Sequence, residues 1–361
     1  MVYPKCTMEK MVMKKNFWKN KKVLVTGHNG FKGSWLVAIL SLQGANIYGV
    51  SLQPLEGSTI YNSAKINECL KEDKVIDIRN YSKLSQYVQK IEPDIIFHFA
   101  AQALVGNSYN DPIETYSTNI MGTINLIESA RYLKTLRCII NVTSDKCYEN
   151  KESIYGYREY DVLGGSDPYS CSKSCVELIS NSYRNSFLNE KQISLVTVRA
   201  GNVIGGGDCS PLRLLPDIFR AIENNNCLAV RSIVSIRPWQ HVLDPLLGYI
   251  KLAEESYTSF QYSSGWNFGP DKYCSMSVND ILIFFKNYFP DLRWKINKEK
   301  KFKESKILEL DITKAQTLLN WEPKITIEEA LELTINWYVA TKNKYDMKSF
   351  TNAQITDYLK M

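Results

Sequence analysis

Tyr169 and Lys173, in the run Asp167-Pro168-Tyr169-Ser170-Cys171-Ser172-Lys173, lie four positions apart. On a helix they share a face, where an ammonium holds a neighbouring phenol close to ionisation. About 25 residues upstream, Thr143-Ser144-Asp145-Lys146 follows the apolar run Cys138-Ile139-Ile140-Asn141-Val142. A hydroxyl, an acid and a potential base therefore stand at the end of a buried strand, the place where open α/β sheets bind ligands. This chemistry is that of an enzyme.

The elements that must position these groups are legible too. Residues 22–26 read as a short buried strand, followed by Gly27-His28-Asn29-Gly30-Phe31-Lys32-Gly33 and a helical run over 34–42. In a strand–glycine turn–helix unit the glycines let the backbone approach a pyrophosphate, and the helix N-terminus offers amide donors and a favourable dipole. Further strands are expected at 46–50, 74–78, 94–99, 136–142 and 193–198, with helical patterns between them. The fold class is therefore α/β, a doubly wound parallel (Rossmann) sheet. Asp77-Ile78, at the end of the third strand, suits an adenine contact. His98-Phe99-Ala100-Ala101-Gln102 closes the fourth with small residues that let the backbone lie beside a dinucleotide, His98 packing beneath.

After Ala200 the pattern turns to irregular segments rich in glycine, proline and aromatics, where a smaller α/β substrate lobe is expected. The expected organisation is an N-terminal extension over 1–20, a dinucleotide-binding domain over 21–200 and a mainly substrate-binding lobe over 201–361, with sheet contributions near 232–270, including a last strand at 263–268. Short helices are expected at 278–288 and 327–338.

Composition narrows the class. The chain has 361 residues, 44% apolar and 23% charged, enough for a large core. It lacks an apolar run long enough for a membrane span or a secretory signal, and the lysine-rich first 20 residues read as a poorly ordered extension. The net charge of +6 is dispersed, and the densest cluster, 298–304, is mixed in sign, so a nucleic-acid stripe is not expected. Nine cysteines without metal or framework spacing fit reduced thiols in a cytoplasm, and three scattered histidines argue against a metal site.

Together the glycine turn, the Tyr-x-x-x-Lys pair and Ser144 resemble the extended short-chain dehydrogenase/reductase family over nearly all of residues 21–340. The strings 26–36, Ser144-Asp145-Lys146-Cys147-Tyr148, 199–208 and Arg237-Pro238-Trp239-Gln240-His241-Val242 are similar to the sugar-nucleotide 4,6-dehydratases within it. The resemblance implies NAD as cofactor and a nucleoside-diphosphate sugar as substrate, CDP-glucose favoured. It implies oxidation at C4, loss of water across C5 and C6, and hydride return to C6. Ser144, Asp145, Lys146, Tyr169 and Lys173 are the implied catalytic residues. Tyr169, its pKa lowered by Lys173 and the nicotinium charge, would take the C4 hydroxyl proton. Asp145 must carry a proton to serve as the C6 acid, so a partly desolvated site is expected. Lys146, where related dehydratases carry a glutamate, can be the C5 base only with its amine neutral.

The same carry-over places Asn202, Arg213 and Arg237 on the diphosphate, Trp239 or His241 in the nucleotide pocket, Tyr148 and Glu149 beside the sugar and Asn119 on the nicotinamide side. It implies a homodimer or homotetramer joined through the helices bearing Asn119 and Tyr169. One departure concerns the cofactor: the second strand ends in Ser51 and Gln53, with neither the acid usual for NAD nor an arginine for NADP. NADP is not favoured, and modest NAD affinity is expected. A GDP-hexose or GDP-heptose dehydratase, a 4-epimerase and a catalytically silent nucleotide-binding protein remain open. Asp145-Lys146 speaks against the epimerase, and the intact Tyr169–Lys173 pair against the silent protein.

Overall fold

A computed structural model of the chain describes residues 14, 16–271, 275–297 and 308–361. The mixed-sign cluster at 298–304 lies outside them. Among the described residues the main sheet has seven parallel strands in the order β10-β6-β5-β4-β1-β2-β3. They are β1 (Lys22–Thr26), β2 (Asn46–Ser51), β3 (Glu72–Val75), β4 (Ile95–His98), β5 (Cys138–Val142), β6 (Ser194–Ala200) and β10 (Gly265–Phe268). The order runs outward both ways from β1 and β4, as a doubly wound sheet requires, and the strand expected at 263–268 takes the edge beside β6. The third strand ends at Val75 rather than Ile78, so Asp77 and Ile78 sit in the turn beyond it. Strands buried on both faces read as unbroken apolar runs, which is why Val23, Leu24, Val25, Ile95, Ile96 and Phe97 are all fully covered.

A small sheet of β7 (Asn202–Ile204), β9 (Ile236–His241) and β11 (Ser275–Ser277), and a pair formed by β8 (Leu228–Val230) and β12 (Trp294–Ile296), make up the strands outside the main sheet. Within the span 232–270 where sheet contributions are expected, Ile236–His241 joins this three-stranded sheet and Gly265–Phe268 the main one. Helices Val278–Tyr288 and Ile327–Lys342 each begin with a capping box, Ser277 with Asp280 and Thr326 with Glu329.

The N-terminal reading needs correction. Trp18 is fully buried, its ring 6.1 Å from that of Phe97, and its indole donates to Glu254 at 2.6 Å. Lys14 pairs with Glu255 at 3.0 Å. Trp18 therefore belongs to the core, with Phe17 packed against it, although the composition around them is polar.

Candidate active site

The catalytic helix, Pro168–Tyr183, starts where its sequence says it should. Pro168 occupies the first turn, and the Asp167 carboxylate accepts from the Ser170 amide at 3.0 Å, a cap worth about 1 kcal/mol. Tyr169 and Lys173 are both buried, at 8% and 5% exposure. The helix faces the end of β5, where Thr143 stays in register with β6 by donating its amide to the Val198 carbonyl at 2.9 Å. Ser144 then caps a short 3-10 turn, Asp145–Cys147, with the Lys146 amide donating to its hydroxyl at 3.2 Å.

This juxtaposition brings Ser144, Asp145, Lys146 and Tyr169 onto one wall of a cavity of about 370 Å³. Ser144 donates to Asp145 Oδ1 at 2.9 Å, and Lys146 Nζ reaches the same oxygen at 3.2 Å. Asp145 is 3% exposed, so the expected desolvation is present, yet its carboxylate is engaged by a cation. The same cavity is lined by Asn202, Arg213, Arg237 and Trp239, all four anticipated, together with Arg231, which had no motif to betray it. Lys32 also reaches this cavity, although it stands in the cofactor turn. Burial pushes its amine down to about 7, and the charges of Arg213, Lys173 and Lys146 add to that against the opposing pull of Asp145. Cationic side chains gathered round one cavity suit a polyanionic ligand.

Several expectations are corrected. The Tyr169 phenol is not lowered as expected, and the Lys173 ammonium donates to the Val142 carbonyl at 3.1 Å, since a buried ammonium takes the acceptor exposed at the strand end. Burial accordingly raises the Tyr169 phenol above its ordinary value, opposed by a hydrogen bond with Ser144 and the charge of Lys146. His241 does not reach the cavity. It is fully buried with its ring 5.9 Å from Trp35, accepts from the Leu243 amide at 3.4 Å, and is driven down to about 3 by burial. Of that pair Trp239 lines the site, while His241, at the far end of β9, is closed off against Trp35. Tyr148 is likewise interior, donating to Asn267 at 2.8 Å and accepting from Arg199, whereas Glu149 pairs at the surface with Lys151 at 3.1 Å.

The cofactor turn is built as tightly as a pyrophosphate cradle demands. Gly27 has φ +71°, and a Cβ there would lie 2.6 Å from the Ala100 amide nitrogen; one on Gly33 would lie 2.2 Å from the Gly27 carbonyl oxygen. The helix Phe31–Leu42 begins there, so the first-turn amides of Phe31, Lys32 and Gly33 are not consumed by the helix itself. The His28 side chain turns away from this cradle: it is fully buried against Gly49 with Nε2 2.9 Å from Asp73, so residue 28 has only backbone to offer a dinucleotide. Asn29 donates to the Leu52 carbonyl at 2.7 Å, closing the turn onto β2.

Asp77 is held in a fork by Arg79 at 2.6–3.0 Å, with Ile78 buried beside it and packed against Gly122. His98 lies beneath, between Thr26 at 2.6 Å and Thr123 at 3.1 Å. Asn119 is a brace, not a projecting contact: its amide bonds the Gln102 backbone at 2.8 and 3.1 Å and the Ser172 hydroxyl at 2.8 Å. The Gln102 side chain is likewise spent on Thr115 and the Leu104 amide. Phe99, Ala100 and Ala101 follow β4 on the cradle side.

Among the described residues no group of three or more histidine, cysteine or acidic side chains could hold a metal ion, and no helix is long and apolar enough to cross a membrane. The described cysteines are all free.

Fold and site together define the class. A family model described as GDP-mannose 4,6 dehydratase matches residues 24–334, and the chain belongs to that family, within the extended short-chain dehydrogenases/reductases. Its relatives include the CDP-glucose 4,6-dehydratase of Salmonella typhimurium, 43% identical and covering 96% of this chain and 98% of that protein. The UDP-glucuronate 4-epimerase of Thermodesulfobacterium geofontis is 26% identical, covering 87% of this chain and 95% of the epimerase. Among solved structures, the dTDP-glucose 4,6-dehydratase DesIV of Streptomyces venezuelae, with NAD and TYD bound, superposes with a TM-score of 0.75 at 20% identity, over 91% of this chain and 99% of that one. The epimerase Mth375 of Methanothermobacter thermautotrophicus gives 0.78 at 22% identity, over 91% and 95%.

Proposed function

We propose that this chain is an NAD-dependent CDP-glucose 4,6-dehydratase, a hydro-lyase forming CDP-4-keto-6-deoxyglucose. The Asp145–Lys146 pair beside Ser144 and Tyr169 carries the reading, because dehydration needs an acid and a base that epimerisation does not. The relative from Salmonella typhimurium supports cytosine as the base and glucose as the sugar.

Held in the cradle of Gly27 to Gly33, with Asp77 and Ile78 toward the adenine and Ala100 and Ala101 alongside, NAD would supply the hydride acceptor for C4 and the hydride donor for C6. Every other step falls to the chain's own side chains. Tyr169 takes the C4 hydroxyl proton while Ser144 hydrogen-bonds the C4 oxygen, and Lys173, cationic beneath them, offsets the negative charge that develops. Oxidation makes the C5 proton acidic. Moving one proton from Lys146 Nζ to Asp145 Oδ1, along the 3.2 Å hydrogen bond, converts the ion pair into a neutral amine and a carboxylic acid. The amine then takes the C5 proton and the acid protonates the departing C6 hydroxyl. Lys146 is then cationic and Asp145 ionised. As the hydride returns to C6, Lys146 gives its proton back to C5, and the proton that Tyr169 took from the C4 hydroxyl passes through Ser144, which bonds both groups, to Asp145. The phenolate and the neutral amine–acid form of the pair are thus restored at each turnover. Asn202, Arg213, Arg231 and Arg237 hold the diphosphate, the arginines as forked cations, and Trp239 covers a face of the base. Asp208, 3.1 Å from Arg213, orients that arginine.

The domain division near residue 200 and association through the helices around Asn119 and Tyr169 belong to the same reading. Ile113 at 80%, Leu178 at 59% and Met121 at 49% exposure supply apolar surface for a second copy there.

Incubating the protein with NAD and CDP-glucose, beside UDP-, dTDP- and GDP-sugars, tests the assignment. Loss of water from CDP-glucose, read by mass and by the 4-keto absorbance in alkali, is expected. An epimer of unchanged mass, or faster turnover of a GDP-sugar, overturns it. In Lys146→Ala the C4 oxidation should survive while solvent-deuterium exchange at C5 is lost; unchanged exchange would reject the base assignment.

A further inference from the structure

A third group continues the Tyr169–Lys173 face of the catalytic helix. Glu177 lies four residues beyond Lys173 and is 4% exposed. All its bonds run to elements that carry the site. Its Oε1 accepts from Thr143 Oγ1 at 2.5 Å and from Arg199 Nε at 2.8 Å, and its Oε2 accepts from Thr197 Oγ1 at 2.6 Å and from Arg199 Nη2 at 2.8 Å. Thr143 immediately precedes Ser144, and Thr197 and Arg199 belong to β6. Arg199 in turn contacts the Tyr148 hydroxyl and the Glu159 carbonyl oxygen. One carboxylate thus ties the helix bearing Tyr169 to the strand end bearing Ser144.

We propose that Glu177 is a positioning residue of this site, fixing the register of Ser144 against Tyr169 through Thr143 and supplying the countercharge that keeps Lys173 cationic. The inference rests on the catalytic role given to Lys173 above.

Burial pushes the Lys173 amine down to about 8 even though Glu177, and after it Cys147, oppose the fall. The remaining groups that face Lys173 offer no comparable anion. Tyr169 is a phenol raised by burial, Cys147 a thiol raised well above its ordinary value, and His98 a neutral imidazole pushed down to about 3, while Lys32 repels it. Glu177 itself would be raised by burial, but the Arg199 charge and the hydrogen bonds from Arg199, Thr143 and Thr197 hold it below the usual carboxylate range; Arg184 adds a further positive charge nearby. The countercharge therefore persists throughout the working pH range.

The test is the pH profile of kcat for the holoenzyme. If Lys173 must be cationic, turnover falls as pH rises through its pKa. Glu177→Gln should move that alkaline limb down by about one pH unit, leaving about fivefold less turnover at the wild-type midpoint. Because the single substitution strands Arg199 without a partner, Glu177→Gln/Arg199→Met is measured as well; it strands no guanidinium and should show the same displacement. A uniform fall in kcat with the limb unmoved in the folded variants overturns the proposal and leaves Glu177 a packing element. Wild-type turnover in Lys173→Met would instead refute the role given to Lys173, an outcome distinct from the first.

Discussion

Two carboxylate–cation pairs flank the end of β5, and they are built for opposite purposes. Glu177–Arg199 is sealed, with both side chains 4% exposed and every carboxylate bond made to protein. Asp145–Lys146 opens on the cavity, with Lys146 34% exposed and only one carboxylate oxygen committed to the pair. A buried pair with its hydrogen bonds complete cannot exchange a proton without leaving a bare charge in a low dielectric, so it serves as a rigid reference. A pair at a cavity wall can exchange one with a ligand. Rigidity behind and proton mobility in front are thus separated by the two residues between Thr143 and Lys146.

The largest effect that would sharpen this contrast is chemical. Asp145→Asn should lower kcat about 10³-fold, about 4 kcal/mol in the barrier, with a 4-keto sugar that has not lost water detected in single-turnover mass spectra. Next comes stability: Arg199→Met alone should destabilise the fold by about 3 kcal/mol in urea unfolding, because it leaves Glu177 buried without its cation.

A third buried carboxylate breaks the pattern usefully. Glu254 takes only the Trp18 indole and the Lys14 amide as direct donors, and burial pushes it up to about 7. Its folded pKa exceeds the unfolded value near 4.5, so the native state holds the extra proton between those limits. Stability should fall as pH rises from about 4.5 to 7, by on the order of 2 kcal/mol from this group, and Glu254→Gln should flatten that slope in urea midpoints measured across the range. The smallest effect belongs to the front pair: Lys146→Met should change stability by less than about 1 kcal/mol, because its ammonium is partly solvated. A larger loss would erase the distinction between the two pairs.

The same contrast divides what could be read early from what could not. Local signals sufficed for the turn Gly27 to Gly33, for the capped start of the helix at Asp167-Pro168, and for the strand end and helix face that bring Ser144, Asp145, Lys146 and Tyr169 to one cavity, because each is specified by neighbours in the chain. Glu177 was within reach of the same reasoning, since it repeats the four-residue spacing of Tyr169 and Lys173. Arg231 was not, since no local pattern distinguishes it from any surface arginine. The burial of the His28 and His241 side chains was not legible, because what covers them, Gly49 and Asp73 for the one and Trp35 for the other, is distant in the chain.

By itself the sequence determined the order of strands and helices, the glycine turn and the capped start of the helix Pro168–Tyr183, since periodicity, turn chemistry and capping act over a few residues. Tertiary structure alone decided which way Lys173 points, that Trp18 is core, and that Arg199 from β6 meets Glu177 from the helix. Those outcomes depend on desolvation and on partners far away in the chain, and the free energy of a buried charge is settled only by what surrounds it in space.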